Sequence, residues 1–262
     1  MTDFQFVRYE IDDFIARLTL MRPPVNALNR ALVGEIAAAA RLVNHEVERR
    51  VVRVAILRAD GRNFCAGADL KERLGLPESE VEQAVLGIRG AVEALAAIKV
   101  PTVAAIQGTA AGGGMELALA ADIRVVADTA RMGLRETALA IIPGAGGTQR
   151  LSRLIGPSNA LLWISTARLF DATECLRVGV ANLIVAESEL ERSTMQLARE
   201  IAANGPLAVQ LAKSAVRAGL HLDLQQALDL EWQHYRQVIP TSDRREALEA
   251  FNEKRPPVFK GE

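Results

Sequence analysis

Hydrophobic and polar residues alternate from position 14 to position 20, and this spacing predicts a strand with one buried face. Its buried face would carry Phe14, Ala16, Leu18 and Leu20, with Arg17 and Thr19 on the other face. From Asn29 to Arg53 we predict mainly a helix, because apolar residues recur there at helical spacing. The buried positions of this helix would be Leu32, Ile36, Ala39 or Ala40, and Val43.

Strand and helix patterns continue to alternate until about residue 186, which favours an α/β core. β-branched or apolar runs predict strands, and longer amphipathic runs predict helices. The predicted strands are 52–57, 102–106 and 123–127, and the predicted helices are 78–98 and 115–121. No clean repeat of 20–50 residues emerges, so the pattern alone does not indicate a solenoid.

The C-terminal region has a different pattern, with helical spacing and few strands. Helices are predicted at 187–204, 207–218, 224–238 and 243–254. Asp243 and Glu246 have the spacing of a capping box, and Pro256–Pro257 would end the last helix. Such a helical lobe cannot extend a sheet, so we expect it to pack across the core or against other subunits.

Composition and charge narrow the function classes. Half of the residues are hydrophobic but only 4% are aromatic, so the core must consist mainly of aliphatic side chains. The 31 basic and 32 acidic residues nearly balance, so the chain has no general attraction to nucleic acid or to an anionic membrane. Cys65 and Cys175 have no metal or redox spacing, which fits a reducing compartment.

Neither a targeting segment nor a membrane span is predicted. Residues 1–6 have no basic region and no apolar core of a signal peptide, and they do not resemble an Arg-rich transit peptide. The most apolar stretch, 102–123, contains Gln107, Glu116 and Asp122 together with several glycines. It is too interrupted to cross a bilayer.

Three glycine-containing segments are the candidate sites of chemistry: 63–70, 111–117 and 141–149. In the second, three glycines precede a predicted helix, so several N–H groups there lack partners and the helix dipole adds positive potential. Such a site stabilises an oxygen that becomes anionic. Glu116, in the first turn, would lie beside that oxygen and could transfer a proton. The alternative is that Glu116 only complements the helix N-terminus.

Glu136 lies just before the third glycine segment. A loop glutamate is usually a solvated surface group, and that interpretation stays open here. However, 138–143 is wholly apolar, so the Glu136 carboxyl could instead face a partly buried cavity.

Other catalytic motifs fail on their spacing. His45-Glu46 begins like a zinc-binding motif, but Arg49 stands where the second histidine is needed, and no metal site is predicted. The glycines at 144 and 146 do not form a dinucleotide fingerprint, because position 149 is Gln. Neither a Walker-type phosphate loop nor a serine hydrolase elbow occurs.

Five motifs together resemble the crotonase, or enoyl-CoA hydratase/isomerase, superfamily. They occur in order along essentially the whole chain, so the set is far more specific than any one of them. They are 26–28 (Asn-Ala-Leu), 64–69 (Phe-Cys-Ala-Gly-Ala-Asp), 112–117 (Gly-Gly-Gly-Met-Glu-Leu), 142–150 (Ile-Pro-Gly-Ala-Gly-Gly-Thr-Gln-Arg) and 251–255 (Phe-Asn-Glu-Lys-Arg).

The resemblance implies an α/β fold built as a crotonase-type spiral of ββα units, with a helical C-terminal trimerisation region. We place the spiral core at 1–200 and the oligomerisation region at 201–262. The N–H groups of Ala68 and Gly113 match the family's oxyanion hole for the thioester carbonyl. Glu116 and Glu136 match the two glutamates that hold and activate water in hydratases. Since isomerases of the family commonly lack one of these acids, hydration is favoured over an isomerase or other crotonase reaction.

Coenzyme A would enter as part of the substrate, and no separate cofactor is expected. By the resemblance, three parts of coenzyme A would be bound at matched positions. Lys71 would lie near the phosphates, and Phe251 and Lys254 would contact the nucleotide of an adjacent subunit. The pantetheine arm would run along the backbone of Ala66, Gly67, Asp69, Leu70 and Gly112. For the two lysines, a solvated surface charge is an equally good interpretation. The segment 21–26 is shorter than the common family form, which leaves that edge of the site open.

Two stretches, 66–73 and 239–262, look closest to methylglutaconyl-CoA hydratases of leucine breakdown. That subfamily includes an RNA-binding member with a lysine-rich first long helix. Here the segment 29–53 has five arginines, no lysine and three glutamates, so nucleic-acid binding is not favoured. We expect self-association as a trimer or hexamer. The expected location is the cytoplasm of a bacterium, or the mitochondrial matrix if a targeting peptide has been removed.

Overall fold

The computed structural model describes residues 4–262, so the first three residues of the N-terminal segment considered above lie outside the described residues. The described strands are β1 (Val7–Asp12), β2 (Ile15–Leu20), β3 (Val54–Ala59), β4 (Thr102–Ile106), β5 (Thr109–Ala111), β6 (Ile123–Ala127), β7 (Arg131–Gly133), β8 (Phe170–Asp171) and β9 (Leu183–Val185). Six of them form one sheet in the order β1-β2-β3-β4-β6-β9, and the other three form a smaller sheet in the order β5-β7-β8.

Helices connect and cover these sheets. They are α1 (Arg30–Glu48), α2 (Leu70–Leu74), α3 (Glu78–Ala96), α4 (Gly113–Ala120), α5 (Gly147–Thr166), α6 (Ala172–Arg177), α7 (Leu190–Ala202), α8 (Pro206–Gly219), α9 (Leu224–Val238) and α10 (Ser242–Glu253). Short 3₁₀ helices occur at Glu136–Leu139 and Glu187–Glu189.

A strand–strand–helix unit recurs along the chain, as expected for a spiral of ββα units. β4 enters the larger sheet, β5 enters the smaller sheet, and α4 follows. β6 and β7 repeat this division before α5. Equivalent strands pair in parallel, β4 with β6 and β5 with β7. Successive units therefore stack, and the loops between their strands and helices meet at one place.

The expectation of a single buried face for the first predicted strand is wrong. β2 buries Ile15, Ala16, Leu18, Thr19 and Leu20, so both of its faces are covered. The reason is that β2 pairs in parallel with β3, and sheets with parallel strands are normally covered on both sides. Phe14 precedes the strand, has a left-handed φ of 63° and is 42% exposed.

The predicted first helix is confirmed, with a shorter C-terminal end. All of its predicted core positions are buried in α1. Asn29 is its N-cap, with a side-chain oxygen that accepts a hydrogen bond from Leu32 N at 2.9 Å. The helix ends at Glu48, so three of the five arginines counted above lie beyond it. α1 itself contains two arginines and three glutamates, so it has no basic face of the kind that binds the phosphates of a nucleic acid.

The four C-terminal helices are confirmed, but the predicted capping box is wrong. Thr241 is the N-cap of α10, and its Oγ1 accepts from Arg244 N at 3.2 Å. Asp243 is buried and accepts from the backbone N–H groups of Lys260 and Gly261 at 2.7 and 2.8 Å. Glu246 accepts from Val258 N at 2.8 Å. Both carboxylates therefore hold the chain end, which folds back over α10.

The predicted division at 200/201 falls inside α7, near its end, and stays a prediction. α7 packs on β2, β3, β4 and β6 of the larger sheet, whereas α8 and α9 pack mainly against each other. Within residues 4–262, no helix combines the length and the apolar character needed to cross a bilayer.

Candidate active site

Glu116 lies in the first turn of α4, where sequence analysis placed it, and only 2% of its surface is exposed. Its Oε1 accepts hydrogen bonds from the backbone N–H groups of Ala145 and Gly147, both at 2.8 Å. Ala145 lies just before α5 and Gly147 is the first residue of α5, so the two donors are 29 and 31 residues later in the chain. The third glycine segment, 141–149, thus holds the side chain of Glu116 from the second segment, 111–117. The spacing of the motifs did not reveal this contact.

Glu136 begins the 3₁₀ helix that follows β7, and it is 9% exposed. The solvated-loop interpretation is therefore wrong for this residue. Its Oε2 is buried and has no hydrogen-bond partner among residues 4–262. The backbone at Gly112 runs close beneath the carboxyl, because a Cβ atom built there would lie 3.2 Å from Oε1 of Glu136. A buried carboxyl oxygen without a partner is unusual in a folded protein and points to a ligand or a reacting group.

Both glutamates line one cavity of about 630 Å³. The rest of its wall is mainly apolar and comes from α3, from the 3₁₀ helix and from the loop before α5. Besides the two glutamates, the charged side chain in this wall is Arg73. Arg73 forms no ion pair within the part of the chain that the structure describes.

The environment raises the pKa of both carboxyls. Burial raises the pKa of Glu136 to about 7, and the nearby charge of Glu116 adds to this effect. Burial also raises the pKa of Glu116, but the N–H groups of Gly147 and Ala145 and the charge of Arg150 oppose the rise. The environments thus favour a proton on Glu136 and a negative charge on Glu116, which are the states of an acid and a base.

Two backbone N–H groups, those of Ala68 and Gly113, lie at the same cavity. Neither donates a hydrogen bond to another group within residues 4–262. They are close together, since a Cβ built on Gly113 would lie 3.8 Å from Ala68 N. Gly67, which precedes Ala68, has a φ of 93°, and a Cβ there would lie 2.7 Å from the Ala111 carbonyl oxygen. Only glycine allows this close approach of the two backbones.

The other candidate residues divide into those that lie near the cavities and those that are exposed on the surface. Gly67, Ala68, Asp69 and Gly112 lie at or beside the cavity, while the side chains of Leu70 and Lys71 are exposed on α2. Ala66 is exposed, and its N–H donates to Val25 O at 2.9 Å. Phe251 and Lys254, at the end of α10, line neither this cavity nor the adjoining one, and Phe251 is 84% exposed.

A second cavity, of about 970 Å³, lies between α1 and α3. It shares Ala68, Arg73 and Ile88 with the first cavity, so the two meet at the unpaired N–H groups. Its wall carries charges of both signs: Arg30 pairs with Glu80 at 2.9 Å, and Arg41 lies in the same wall as Asp69 and Glu72. Together the cavities could accept a ligand with a short reactive end and a long arm.

The sequence patterns did not indicate that Arg73 lines a cavity, nor that two backbone N–H groups donate to Glu116. The glycines at 144, 146 and 147 were a usable signal for the donors, because free N–H groups accumulate where glycines precede a helix. Arg73 carried no such signal, since an arginine on a short helix is ordinarily solvated.

This geometry and the family comparison define the class of protein. The enoyl-CoA hydratase/isomerase family model matches residues 10–262, and the chain belongs to this family. The predicted crotonase-type α/β fold is confirmed by solved structures of enoyl-CoA hydratases that superpose over nearly the whole chain.

Three relatives illustrate the similarity. YngF of Bacillus subtilis, assigned to the enoyl-CoA hydratases/isomerases, is 46% identical over 252 residues, which cover 95% of this chain and 96% of YngF. Human mitochondrial methylglutaconyl-CoA hydratase is 46% identical over 242 residues, which cover 90% of this chain and 70% of that protein. The crystal structure of an enoyl-CoA hydratase from Bacillus anthracis has a TM-score of 0.95 at 44% identity, covering 98% of this chain and 100% of that chain.

Proposed function

We propose that this protein adds water across the α,β double bond of an acyl-CoA thioester, with Glu136 as the acid and Glu116 as the base. The observation that carries the proposal is the pair of buried glutamates in one cavity, beside two unpaired backbone N–H groups. A double-bond isomerase needs proton transfer but no site for water. Hydration takes one proton from water and delivers one proton to carbon. Two carboxyls that differ in proton affinity can act as the base and the acid for these two transfers.

The thioester carbonyl would accept hydrogen bonds from Ala68 N–H and Gly113 N–H. As water adds at the β-carbon, electron density moves from the double bond toward this oxygen. Donors that are already oriented stabilise that charge without reorganising, and one such donor is typically worth ~10²–10³ in turnover. The N-terminus of α4 adds positive potential at the same place.

The proton steps follow from the two carboxyl environments. Ionised Glu116 takes a proton from water as the oxygen forms its bond to the β-carbon. The π electrons form the new C–H bond at the α-carbon with the proton released by Glu136. Glu136 is then ionised and Glu116 protonated, and transfer of one proton between them restores the starting state. The reaction consumes one water and needs neither an oxidant nor a metal.

The acyl group that suits this cavity carries a distal carboxylate, as 3-methylglutaconyl-CoA does. Apart from the two glutamates, Arg73 is the charged residue of a mainly apolar wall, and it has no acidic partner within residues 4–262. A carboxylate beyond the double bond would neutralise it through two parallel hydrogen bonds. The similarity to human methylglutaconyl-CoA hydratase supports the same substrate class, and with it a role in leucine breakdown.

The rest of coenzyme A would extend into the second cavity, near Arg30 and Arg41. We propose that Phe251 and Lys254 contribute to a neighbouring subunit's site in a trimer or hexamer, since they lie away from the cavities of their own chain. Exposed apolar side chains on α8, on α9 and between them, such as Val216, Leu224 and Leu220, support such self-association.

Product analysis tests the reaction class. We expect the protein to convert crotonyl-CoA and 3-methylglutaconyl-CoA to 3-hydroxyacyl-CoA products, with faster turnover of the second. Loss of the conjugated thioester absorbance measures the rate, and mass spectrometry detects the gain of one water. A product of unchanged mass with a shifted double bond would identify an isomerase instead. Absence of any reaction with tight binding of both thioesters would rule out the catalytic proposal.

Replacing Arg73 tests the distal carboxylate. Arg73→Met is expected to lower kcat/KM for 3-methylglutaconyl-CoA by about 10- to 100-fold, because a hydrogen bond to a charged group is worth ~1.5–3 kcal/mol. The crotonyl-CoA value should stay within about threefold, since that acyl group has no carboxylate. Arg89→Met, an exposed change on α3 outside both cavities, is the control. An equal loss for both substrates would instead assign Arg73 to the coenzyme A portion.

A further inference from the structure

An arginine outside the cavity wall connects two loops that meet at the unpaired Ala68 N–H. Arg22 follows β2, and its Nη1 donates to Ala27 O at 2.8 Å. Its Nη2 forms an ion pair with Asp69 Oδ2 at 2.6 Å, across 47 residues of sequence. The two side chains are 27% and 14% exposed, so this pair is largely enclosed.

The Asp69 carboxylate is already engaged on both oxygens. Oδ2 accepts from Arg22, while Oδ1 caps α2 by accepting from the N–H groups of Lys71 at 3.0 Å and Glu72 at 3.2 Å. Burial acts to raise the pKa of Asp69, but the N–H of Glu72, the hydrogen bond and charge of Arg22 and the N–H of Lys71 together outweigh it and lower the pKa. A carboxylate committed in this way fixes the start of α2.

The backbone between these side chains determines the direction of the Ala68 N–H. Leu28 N donates to Gly67 O at 2.8 Å, and Asp69 N donates to Leu28 O at 3.0 Å. Leu28 and Ala68 thus form a parallel bridge in which the residues on either side of Ala68 make the hydrogen bonds. The N–H of Ala68 itself then points away from this bridge and remains free for the cavity.

A buried asparagine holds the other end of the same loop. Asn26 is fully buried, with a left-handed φ of 50°. Its Oδ1 accepts from Arg22 N at 2.8 Å, and its Nδ2 donates to Asp60 O at 3.0 Å and Asn63 O at 2.9 Å. Arg22 therefore starts from a fixed backbone position and joins two anchored segments through its guanidinium.

We propose that Arg22 is a positioning residue for catalysis: its hydrogen bonds to Ala27 and Asp69 hold the Leu28–Ala68 bridge and so aim the Ala68 N–H at the thioester oxygen. This inference rests on the proposed oxyanion hole. Because this pair is largely enclosed, removing Arg22 should also lower the stability of the protein, since the Asp69 charge would lose its partner. The effect on rate is a separate one, because a misplacement of about 1 Å in a reacting geometry can cost ~10²-fold.

Arg22→Met tests the proposal, because a positioning role should change kcat much more than KM. We expect kcat for crotonyl-CoA hydration to fall about 10- to 100-fold with KM within about threefold, because the hole acts mainly on the transition state. Arg22→Lys should retain part of the rate, since lysine can still pair with Asp69 but cannot reach two acceptors in one plane. When Asp69→Asn is added to Arg22→Met, kcat should fall little further, as expected for two residues that act through the same contact.

Arg58→Met is the matched control. Arg58 also makes one short ion pair, with Glu191 at 2.7 Å, and its side chain is 25% exposed, close to the value for Arg22. It does not contact the 66–70 segment. We expect its kcat to remain at the wild-type value. A similar loss of kcat in Arg58→Met would show a general effect of removing a partly buried arginine and would overturn the inference.

A spectroscopic measurement separates the positioning role from the proposed reaction. Butyryl-CoA labelled with ¹³C at the thioester carbon cannot be hydrated, and hydrogen bonds from the hole should lower its carbonyl stretching frequency. We expect this shift in wild type and its partial loss in Arg22→Met. A full shift in Arg22→Met would refute the Arg22 inference alone. Absence of the shift in wild type would refute the oxyanion hole, and with it the proposed mechanism.

Discussion

Glu116→Gln is expected to lower kcat for hydration by ~10²–10⁴-fold, the range that general acid–base groups usually contribute. The amide oxygen can still accept from Ala145 N and Gly147 N, so the loop before α5 should keep its position. What is lost is the capacity to take a proton from water. Glu82→Gln, on the exposed side of α3, is the control and should leave kcat unchanged.

The partner substitution and the pH profile complete this prediction. Glu136→Gln should cause a loss of similar size, and the double variant should lose little more, because the two groups act on one water. In wild type, a carboxyl whose pKa is raised to about 7 donates a proton only while it is protonated, so kcat/KM should fall as the pH rises through this region. In Glu116→Gln, ¹³C NMR should show Glu136 titrating at lower pH, since the neighbouring negative charge is gone.

Two results would contradict the assignment. If Glu116→Gln kept more than about a tenth of the wild-type kcat, Glu116 would not be the base, since general bases contribute at least ~10². If the alkaline limb of the profile were unchanged in Glu136→Gln with measurable residual activity, another group would be responsible for that limb.

Gly67→Ala is expected to remove most of the oxyanion hole. The φ of 93° is unfavourable for a residue with a Cβ atom, and that atom would lie 2.7 Å from Ala111 O and 3.2 Å from Gly113 N. The backbones carrying Ala68 and Gly113 must therefore separate. We expect kcat to fall by at least ~10²–10³, the loss typical of a single oxyanion donor, with a weaker change in KM.

Gly61→Ala separates backbone strain from loss of the hole. Gly61 has a similar φ of 88°, but a Cβ there meets nothing within 4 Å. This variant should lose about 1–2 kcal/mol of unfolding free energy, the cost of placing alanine in a left-handed conformation, and keep its kcat. Urea denaturation and steady-state kinetics on both variants make the comparison. Equal losses of kcat in the two variants would show that strain, and not the hole, controls the rate.

The elements that were predictable from sequence have strong local periodicity. The core positions of α1 and the limits of α9 agreed with the spacing of apolar residues. In such amphipathic helices the apolar residues recur on one face, and this spacing can be read directly from the sequence. The ββα repeat was not visible as a sequence period, because the strands are only two to six residues long and the loops between them differ. The burial of both faces of β2 depended on its parallel neighbour, which its own residues do not specify.

The sequence by itself determined the family, the helical C-terminal region and the glycines at which backbones approach. These are local properties, since a motif and a left-handed glycine depend on a few consecutive residues. Only the tertiary structure decided that Glu136 is buried, that the third glycine segment holds Glu116, and that Arg73 lines the cavity. Each of these facts is a contact between segments distant in sequence, and burial raises a pKa only when other segments remove the water around a carboxyl.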